Sequence, residues 1–328
     1  MVLFWALILA ISMLLYVLLD GFDLGIGILF GLTRDDERRR AMMSAVAPIW
    51  DGNETWLVVT GVTLWGAFPI VYATLLSAFY LPLLMMLAGL ILRGVAFEFR
   101  HKTQRMRWIW DLSFASGSLL AAFMQGVTVG ALVQGLPIEH GRYVGSELAW
   151  LSPFALLCGA GLCLGYALLG ACWLVKKCEA AVREEAYRLI PTLSIALLAF
   201  LVMVFASALH EHLLVMDRWL ERPYLFIFPV IAAANAITLA ISVRRRQDGP
   251  PFYLAALTFV AAFGTLAISF WPYMIPFSIT IGEAAAPHVS LAFMFWGAGL
   301  FVFPLMLIYT AISLRVFRGK VSPAPGHY

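Results

Sequence analysis

Five carboxylates and two guanidiniums interrupt stretches of this chain that are otherwise apolar: Asp20, Asp23, Asp51, Glu54, Glu98, Arg93 and Arg100. Ionisable groups at membrane depth are costly, and they mark proton relays, ion routes or ties between helices. Asp20 and Asp23, in "LDGFDLGIG", are three residues apart and share one helix face. Asp51 and Glu54, in "APIWDGNETW", repeat that spacing and are flanked by Trp50, Asn53 and Trp56. Arg93, Glu98 and Arg100 follow in "LILRGVAFEFRHK". Grouped carboxylates can hand protons along, and Asp23 and Asp51 are the best placed for it, with Asp20 and Glu54 beside them. The same groups can instead complement the dipole of a helix N-terminus. They can also fasten spans together as ion pairs, Glu98 with its arginines above all; such pairs are weak evidence for stability. On the residues alone these readings stand side by side.

The elements that position these groups are membrane spans. The chain has 328 residues, 62% of them hydrophobic and 12% charged, with a mean hydropathy of +0.89; soluble domains carry about a quarter charged residues. The apolar runs predict an all-α integral membrane protein with nine spans, at about 3–31, 48–70, 74–98, 111–135, 152–175, 189–209, 224–243, 252–270 and 289–316. Two four-helix bundles plus one helix would accommodate them. The first bundle occupies 1–135 and holds the polar cluster, the second and the last helix occupy 152–316, and 317–328 form a tail. The first span reads as retained rather than as a cleaved signal, because no basic leader precedes it. No connection is long enough for a soluble domain, and nothing points to nucleic acid.

Lys and Arg alternate cleanly between the two sides. Eighteen of the 22 fall in the connections after spans 1, 3, 5 and 7 and in the tail, and only Arg142, Arg218 and Arg222 lie opposite. The excess of positive charge on the inner side of membrane proteins predicts the C-terminus in the cytoplasm and the N-terminus outside. Asp23 precedes Arg34 by eleven residues, roughly 16 Å of helix, so it sits in the cytoplasmic half of the bilayer. Gly21, Gly25 and Gly27 thin the same helix and predict the close approach of another. The glycine-rich "GLCLGYALLG" of span 5 echoes "GFDLGIGILFGL" of span 1 too faintly to count as a repeat.

The six histidines, His101, His140, His210, His212, His288 and His327, fall in connections, span ends or the tail. A membrane haem needs an axial ligand, usually histidine, so the census predicts a chain that binds no haem or metal alone. Cys158, Cys163, Cys172 and Cys178 form no metal-binding pair and read as small buried thiols.

Taken together, "LDGFDLGIG" (19–27), "RDDERRRAMMSAVAP", "APIWDGNETWL" (47–57), "FPIVYATLLSAFYLPL" (68–83), "LRGVAFEFRHK" (92–102) and "LIYTA" (307–311) resemble subunit II of the cytochrome bd-type quinol oxidases. The likeness is to the shorter members, including the cyanide-insensitive type. The long outer loop between spans 6 and 7 is missing, and Glu98 stands where some relatives have Asp. The resemblance implies a haem-free subunit of a heterodimer in the bacterial cytoplasmic membrane. Its partner, subunit I, would carry two b-type haems, a third b- or d-type haem and the quinol site, and the complex would reduce oxygen to water with protons taken from the cytoplasm. A small accessory subunit, lipid and quinone are further partners it implies. Asp23, Trp50 and Asp51 match family positions near the subunit interface, where a proton route has been proposed. Two rivals remain: a subunit that is purely structural, and a secondary transporter, which would be active alone and would carry paired broken helices near the midplane.

Overall fold

In the computed structural model, residues 1–103, 105–139 and 141–321 are described, so the histidine positions 140 and 327 and the tail beyond 321 lie outside the described residues. The first helix, α1 (Val2–Leu32), leads through a short helix α2 (Asp36–Ser44) to α3 (Trp50–Ala67), α4 (Pro69–Ala78), α5 (Tyr80–Arg100) and α6 (Arg107–Gln134). A small hairpin, β1 (Ile138–Glu139) with β2 (Arg142–Tyr143), precedes α7 (Pro153–Lys177) and α8 (Ala180–His210). Then come α9 (Leu214–Glu221), a 3₁₀ turn at Pro223–Phe226, α10 (Ile227–Arg244) and α11 (Pro250–Phe270). A second hairpin, β3 (Tyr273–Ile275) with β4 (Ile279–Thr280), leads to α12 (Ile281–Ala284), α13 (His288–Met294), a π-turn at Phe295–Gly299 and α14 (Val302–Val316). Eight helical stretches are long and apolar enough to span a membrane, or nine when α3 and α4 count as one broken span. The predicted all-α membrane fold is therefore what the chain adopts.

Three expectations need correction. Span 2 is not a straight helix running to residue 70: α3 and α4 meet at 119°. Pro69 cannot continue the helix before it and instead starts the next one. The carbonyl of Ala67 at the break is satisfied by the backbone N–H of Ala286 at 2.9 Å, as apolar surroundings demand. Residues 74–78, assigned to span 3, belong to this re-directed helix. Span 6 starts at Ala180 rather than near 189, so Arg183 and Arg188 stand on a helix and not in a loop. The basic loop after span 1 is itself partly helical, because Asp35 caps α2 by accepting from the N–H groups of Glu37 and Arg38.

The centre of the packing is the crossing of α1 and α7. The two glycine-rich stretches, too dissimilar to be a repeat, turn out to be each other's surface. A Cβ on Gly25 would lie within 1.8 Å of the Tyr166 carbonyl, and one on Gly170 within 2.7 Å of the Gly25 backbone. Small residues here let the backbones meet. Around the crossing, Phe22 stacks on Trp173 at 4.2 Å. Helices α3 and α6 also pack on α1, and α6, α8 and α11 on α7. By contrast, α14 buries none of its own residues. Trp56 Nε1 donates to Thr310 Oγ1 at 3.2 Å, tying it to α3.

The far end of α14 is strapped down. Lys177, almost wholly buried, donates through Nζ to the carbonyls of Phe317 and Gly319, and the Val321 N–H donates to the Lys177 carbonyl at 2.8 Å. Lys320 reaches Asp248 at 2.8 Å, in the connection between α10 and α11. Asp248 also accepts from Arg183 and Tyr187. Burial pushes the Asp248 carboxyl up, but the hydrogen bonds from Arg183, Lys320 and Tyr187 outweigh this and hold it at about 2.

Two outcomes follow from this packing. Gly25→Leu should destabilise the detergent-solubilised chain by on the order of 3 kcal/mol or more, read as melting temperature, whereas Gly61→Leu, with nothing within 4 Å of its Cβ position, should leave it unchanged. For the strap, a carboxyl held below its ordinary 3.8 adds stability that is complete above about pH 4 and is lost as pH falls toward about 2. Amide exchange at Val321, corrected for intrinsic rate, should therefore quicken across that interval, and Asp248→Asn should abolish the pH dependence.

Candidate functional site

Where α1, α3 and α5 meet, the apolar interior holds a charged knot. Tyr16, Asp20 and Asp23 recur at helical spacing on one face of α1. Arg93 of α5 is fully buried, and so are Asp20 and Asp23. The Arg93 guanidinium donates through Nη1 to Asp20 Oδ1 at 2.6 Å and through Nη2 to Glu54 Oε2 at 2.9 Å. Glu54, near the start of α3, keeps 27% of its side chain exposed, so this carboxylate links the knot to the surface. Asn53, one residue before it, donates through Nδ2 to Asp23 Oδ2 at 2.8 Å and makes a longer contact to the Leu19 carbonyl at 3.4 Å.

A neutral arm runs on from the knot. Gln125 of α6 donates to Tyr16 Oη at 2.7 Å, and Tyr166 of α7 donates to Gln125 Oε1 at 2.8 Å. Three buried atoms of the knot have no partner among the described residues: Asp20 Oδ2, Asp23 Oδ1 and Arg93 Nε. Buried polar groups left like this normally engage ordered water.

The remaining predicted residues lie elsewhere. Glu98 does not pair with an arginine: it is on the exposed face of α5 and pairs with Lys102 one turn on, at 3.6 Å. Helical geometry explains this, since residues 93 and 98 are 500° apart around the axis at about 100° per residue, so they point to different faces. Arg100 belongs to a second cluster at the basic end of the molecule, not to the knot. It donates to Asp36 at 2.8 Å and Asp111 at 2.5 Å, where Arg39, Arg40 and Arg107 also converge. Burial raises the Asp36 carboxyl, yet the hydrogen bond and charge of Arg100, with Arg107 and Arg40, hold it below the usual range. Asp51 is exposed at the start of α3, and among the described residues its carboxylate has no hydrogen-bond or ion-pair partner.

Trp50 begins an aromatic column that reaches the second cluster. It stacks on Phe97 at 4.9 Å, Phe97 meets Phe114 edge-on at 4.9 Å, and Phe114 meets Phe30 at 5.0 Å. Arg39 and Arg100 lie over the Phe30 ring at 4.9 and 5.4 Å.

Sequence reasoning missed Tyr16, Gln125, Tyr166, Asp36 and Asp111. Following the α1 face one turn back from Asp20 reaches Tyr16, so that signal was present. Gln125 and Asp111 carry none, because an isolated polar residue in a span does not name its partner. Among the described residues no three His, Cys, Asp or Glu side chains are grouped to hold a metal ion.

Three comparisons bear on this arrangement. The family described as "Cytochrome bd terminal oxidase subunit II" matches residues 1–317. The "Probable cytochrome oxidase subunit 2" of Haemophilus influenzae is 31% identical over 356 residues, covering 97% of this chain and 94% of that protein. The "Cytochrome bd-I ubiquinol oxidase subunit 2" of Escherichia coli is 29% identical, with the same coverage. The "Cytochrome bd ubiquinol oxidase subunit 2" of Bacillus subtilis is 28% identical, covering 97% and 96%. In fold, a chain from "The structure of bd oxidase from Geobacillus thermodenitrificans" superposes with a TM-score of 0.79 over 96% of each chain at 17% identity.

The knot makes a prediction of its own. Removing one member of a buried charge group strands the others, at a cost of about 3–5 kcal/mol. Arg93→Gln should therefore lower the melting temperature strongly, and Arg93→Gln with Asp20→Asn should recover part of the loss, because one stranded charge disappears.

Proposed function

Because the chain belongs to the cytochrome bd terminal oxidase subunit II family, we propose that it serves its oxidase as a haem-free subunit that supports a haem-bearing subunit I and carries protons toward the site of oxygen reduction. Membership makes it a subunit of a terminal oxidase in the bacterial membrane and sets the transporter reading aside. In this reading the substrate of the complex is a quinol, and oxidation and oxygen reduction take place on subunit I. The arginine-rich side faces the cytoplasm, and 1–135 and 152–316 are two bundles joined through the α1–α7 crossing.

The described residues of this chain do not fit a haem. Among the described residues, His101, His210 and His288 stand at helix ends and His212 in a turn. The buried Met42, Met43, Met86, Met124 and Met216 are absorbed in apolar clusters. No step of the proposal therefore runs through a cofactor on this chain.

One observation carries the proton reading: two hydrogen-bonded sets, Glu54–Arg93–Asp20 and Asn53–Asp23, lie side by side through the consecutive residues 53 and 54 of α3 and bring part-exposed Glu54 near fully buried Asp23. Each residue has a distinct part. Glu54, paired with Arg93 through one oxygen and part exposed, takes up a proton at the surface by giving up that pair, which water can replace there while buried Asp20 keeps its own. Arg93 holds Asp20 and Glu54 as counter-ions, which makes Asp20 a positioning group rather than a carrier. Asp23 has no cation in hydrogen-bond contact and one oxygen without a partner, so it can take and release a proton without breaking an ion pair. Asn53 fixes its orientation. Asp51, exposed on the same turn of α3, offers a second entry toward a partner subunit, with Trp50 as its aromatic support. Reducing oxygen to water consumes protons, and supplying them from one side of the membrane builds a gradient without a pump.

The structural reading keeps one specific support, since Arg93 with two carboxylates is also a tie between α1, α3 and α5. The two separate in one experiment. Asp23→Asn and Asp51→Asn preserve shape while removing the titrating group. With the partner co-expressed, the relay predicts normal assembly and haem content and a fall in quinol-oxidase turnover on the order of 10²-fold for the better placed residue. Loss of turnover only in step with haem content would establish the purely structural role.

A further inference from the structure

The corner where α2, the end of α5 and the start of α6 meet is short of negative charge. Four guanidiniums, Arg39, Arg40, Arg100 and Arg107, share the carboxylates of Asp36 and Asp111. Arg105 adds a further exposed guanidinium with no ion-pair partner among the described residues. The nearby Glu98 is taken by Lys102, and Asp35 and Glu185 are taken by Arg38; Glu37, exposed on α2 with no ion pair among the described residues, still leaves five guanidiniums to three carboxylates. Donors also outnumber acceptors: Arg39 Nε, Arg107 Nε and Trp110 Nε1 are buried with no partner among the described residues. Native proteins rarely leave such groups unpaired. The Arg107 side chain is 32% exposed, so the cluster can be reached from outside.

The surroundings say what reaches it. Arg100 closes one membrane span and Arg107 opens the next, so the corner lies level with the headgroups of the bilayer. Directly beside it, Phe99, Met106, Trp108 and Leu112 are exposed, and Trp110 stacks on Phe99 at 5.3 Å. Exposed aromatics at this level are the mark of a membrane interface. A soluble anion would satisfy the arginines but has no use for an apolar ramp descending from them.

We propose that this corner binds the phosphodiester headgroup of an anionic phospholipid, with Arg105 and Arg107 as its charge partners and the exposed side chains that flank Arg100 and Arg107 in the chain, Phe99, Met106 and Trp108, as the bed for its acyl chains. Basic pockets between spans hold anionic headgroups by the same combination. The site is separate from the buried knot, and it stands or falls independently of the proton route.

The test uses the chain purified with its co-expressed partner subunit, stripped of lipid in detergent, then titrated with phosphatidylglycerol or phosphatidylcholine and read by native mass spectrometry. Phosphatidylglycerol should bind preferentially. Arg105→Gln or Arg107→Gln should each weaken it about fivefold, and the pair about twenty-five-fold, from the contribution of one basic residue at a lipid surface. Arg318→Gln, beyond α14, should have no effect. Arg105 has no ion-pair partner to lose, so Arg105→Gln carries the test even if Arg107→Gln fails to fold. Equal binding of phosphatidylcholine, unchanged affinity in Arg105→Gln, or displacement of the lipid by equimolar inorganic phosphate would each overturn the proposal. So would absence of lipid binding in the heterodimer, which would mean that the partner covers the corner.

Discussion

A guanidinium held in an apolar interior dictates much of this molecule. Arg93 has no bulk water to solvate it, so it must be met by carboxylates, and these come from two other helices, Asp20 on α1 and Glu54 on α3. That requirement fixes the relative height of three spans to within a hydrogen bond. It also explains why α1 must be thin on its other side. With one face committed to α3 and α5, the helix meets α7 through Gly21 and Gly25, where side chains would collide with Tyr166. The charged knot and the glycine crossing are two faces of the same helix, and each restricts what the other can do.

The charges around Arg93 also sort the acids by role. A carboxylate inside an ion pair cannot exchange a proton without disrupting the pair, whereas one held only by an amide can. Asp20 and Asp23 are a single turn apart and alike in the sequence. They differ because the first meets Arg93 and the second meets Asn53. Division of labour between similar residues thus comes from neighbours on other helices, a link that runs from packing to chemistry.

This is also where reading the sequence succeeds and where it stops. Spans and the intramembrane acids are visible because their signals are local, in hydropathy, helical spacing and the placement of arginines. The close approach of another helix at Gly21 and Gly25 is visible too, for small residues in a span have little other use. What is hidden depends on partners far apart in the chain. Glu98 and Arg100 look like members of one cluster with Arg93, yet rotation about the helix axis sends Glu98 to the surface, and Asp36 and Asp111 claim Arg100. Asp36 was hidden in a loop that becomes helical through its cap, and Gln125 in a span where nothing nearby in the chain names its two tyrosine partners. The break at Phe68 was marked by Pro69, but the 119° turn was not, because the proline says that a helix ends and not where the chain goes next.

The strap across the end of α14 has a consequence for how the protein is made. Spans emerge from the ribosome in order, and α14 follows every helix it rests on, with no buried residues of its own to hold it. Its anchors are Thr310 on one side and, on the other, the carbonyls of Phe317 and Gly319 with the Lys320 ammonium, all later in the chain than the helices they tie. Closure of this end of the bundle therefore waits until residue 320 has been made. A chain that stopped before Phe317 would keep the α1–α7 crossing and still hold α14 at one end only, through Thr310.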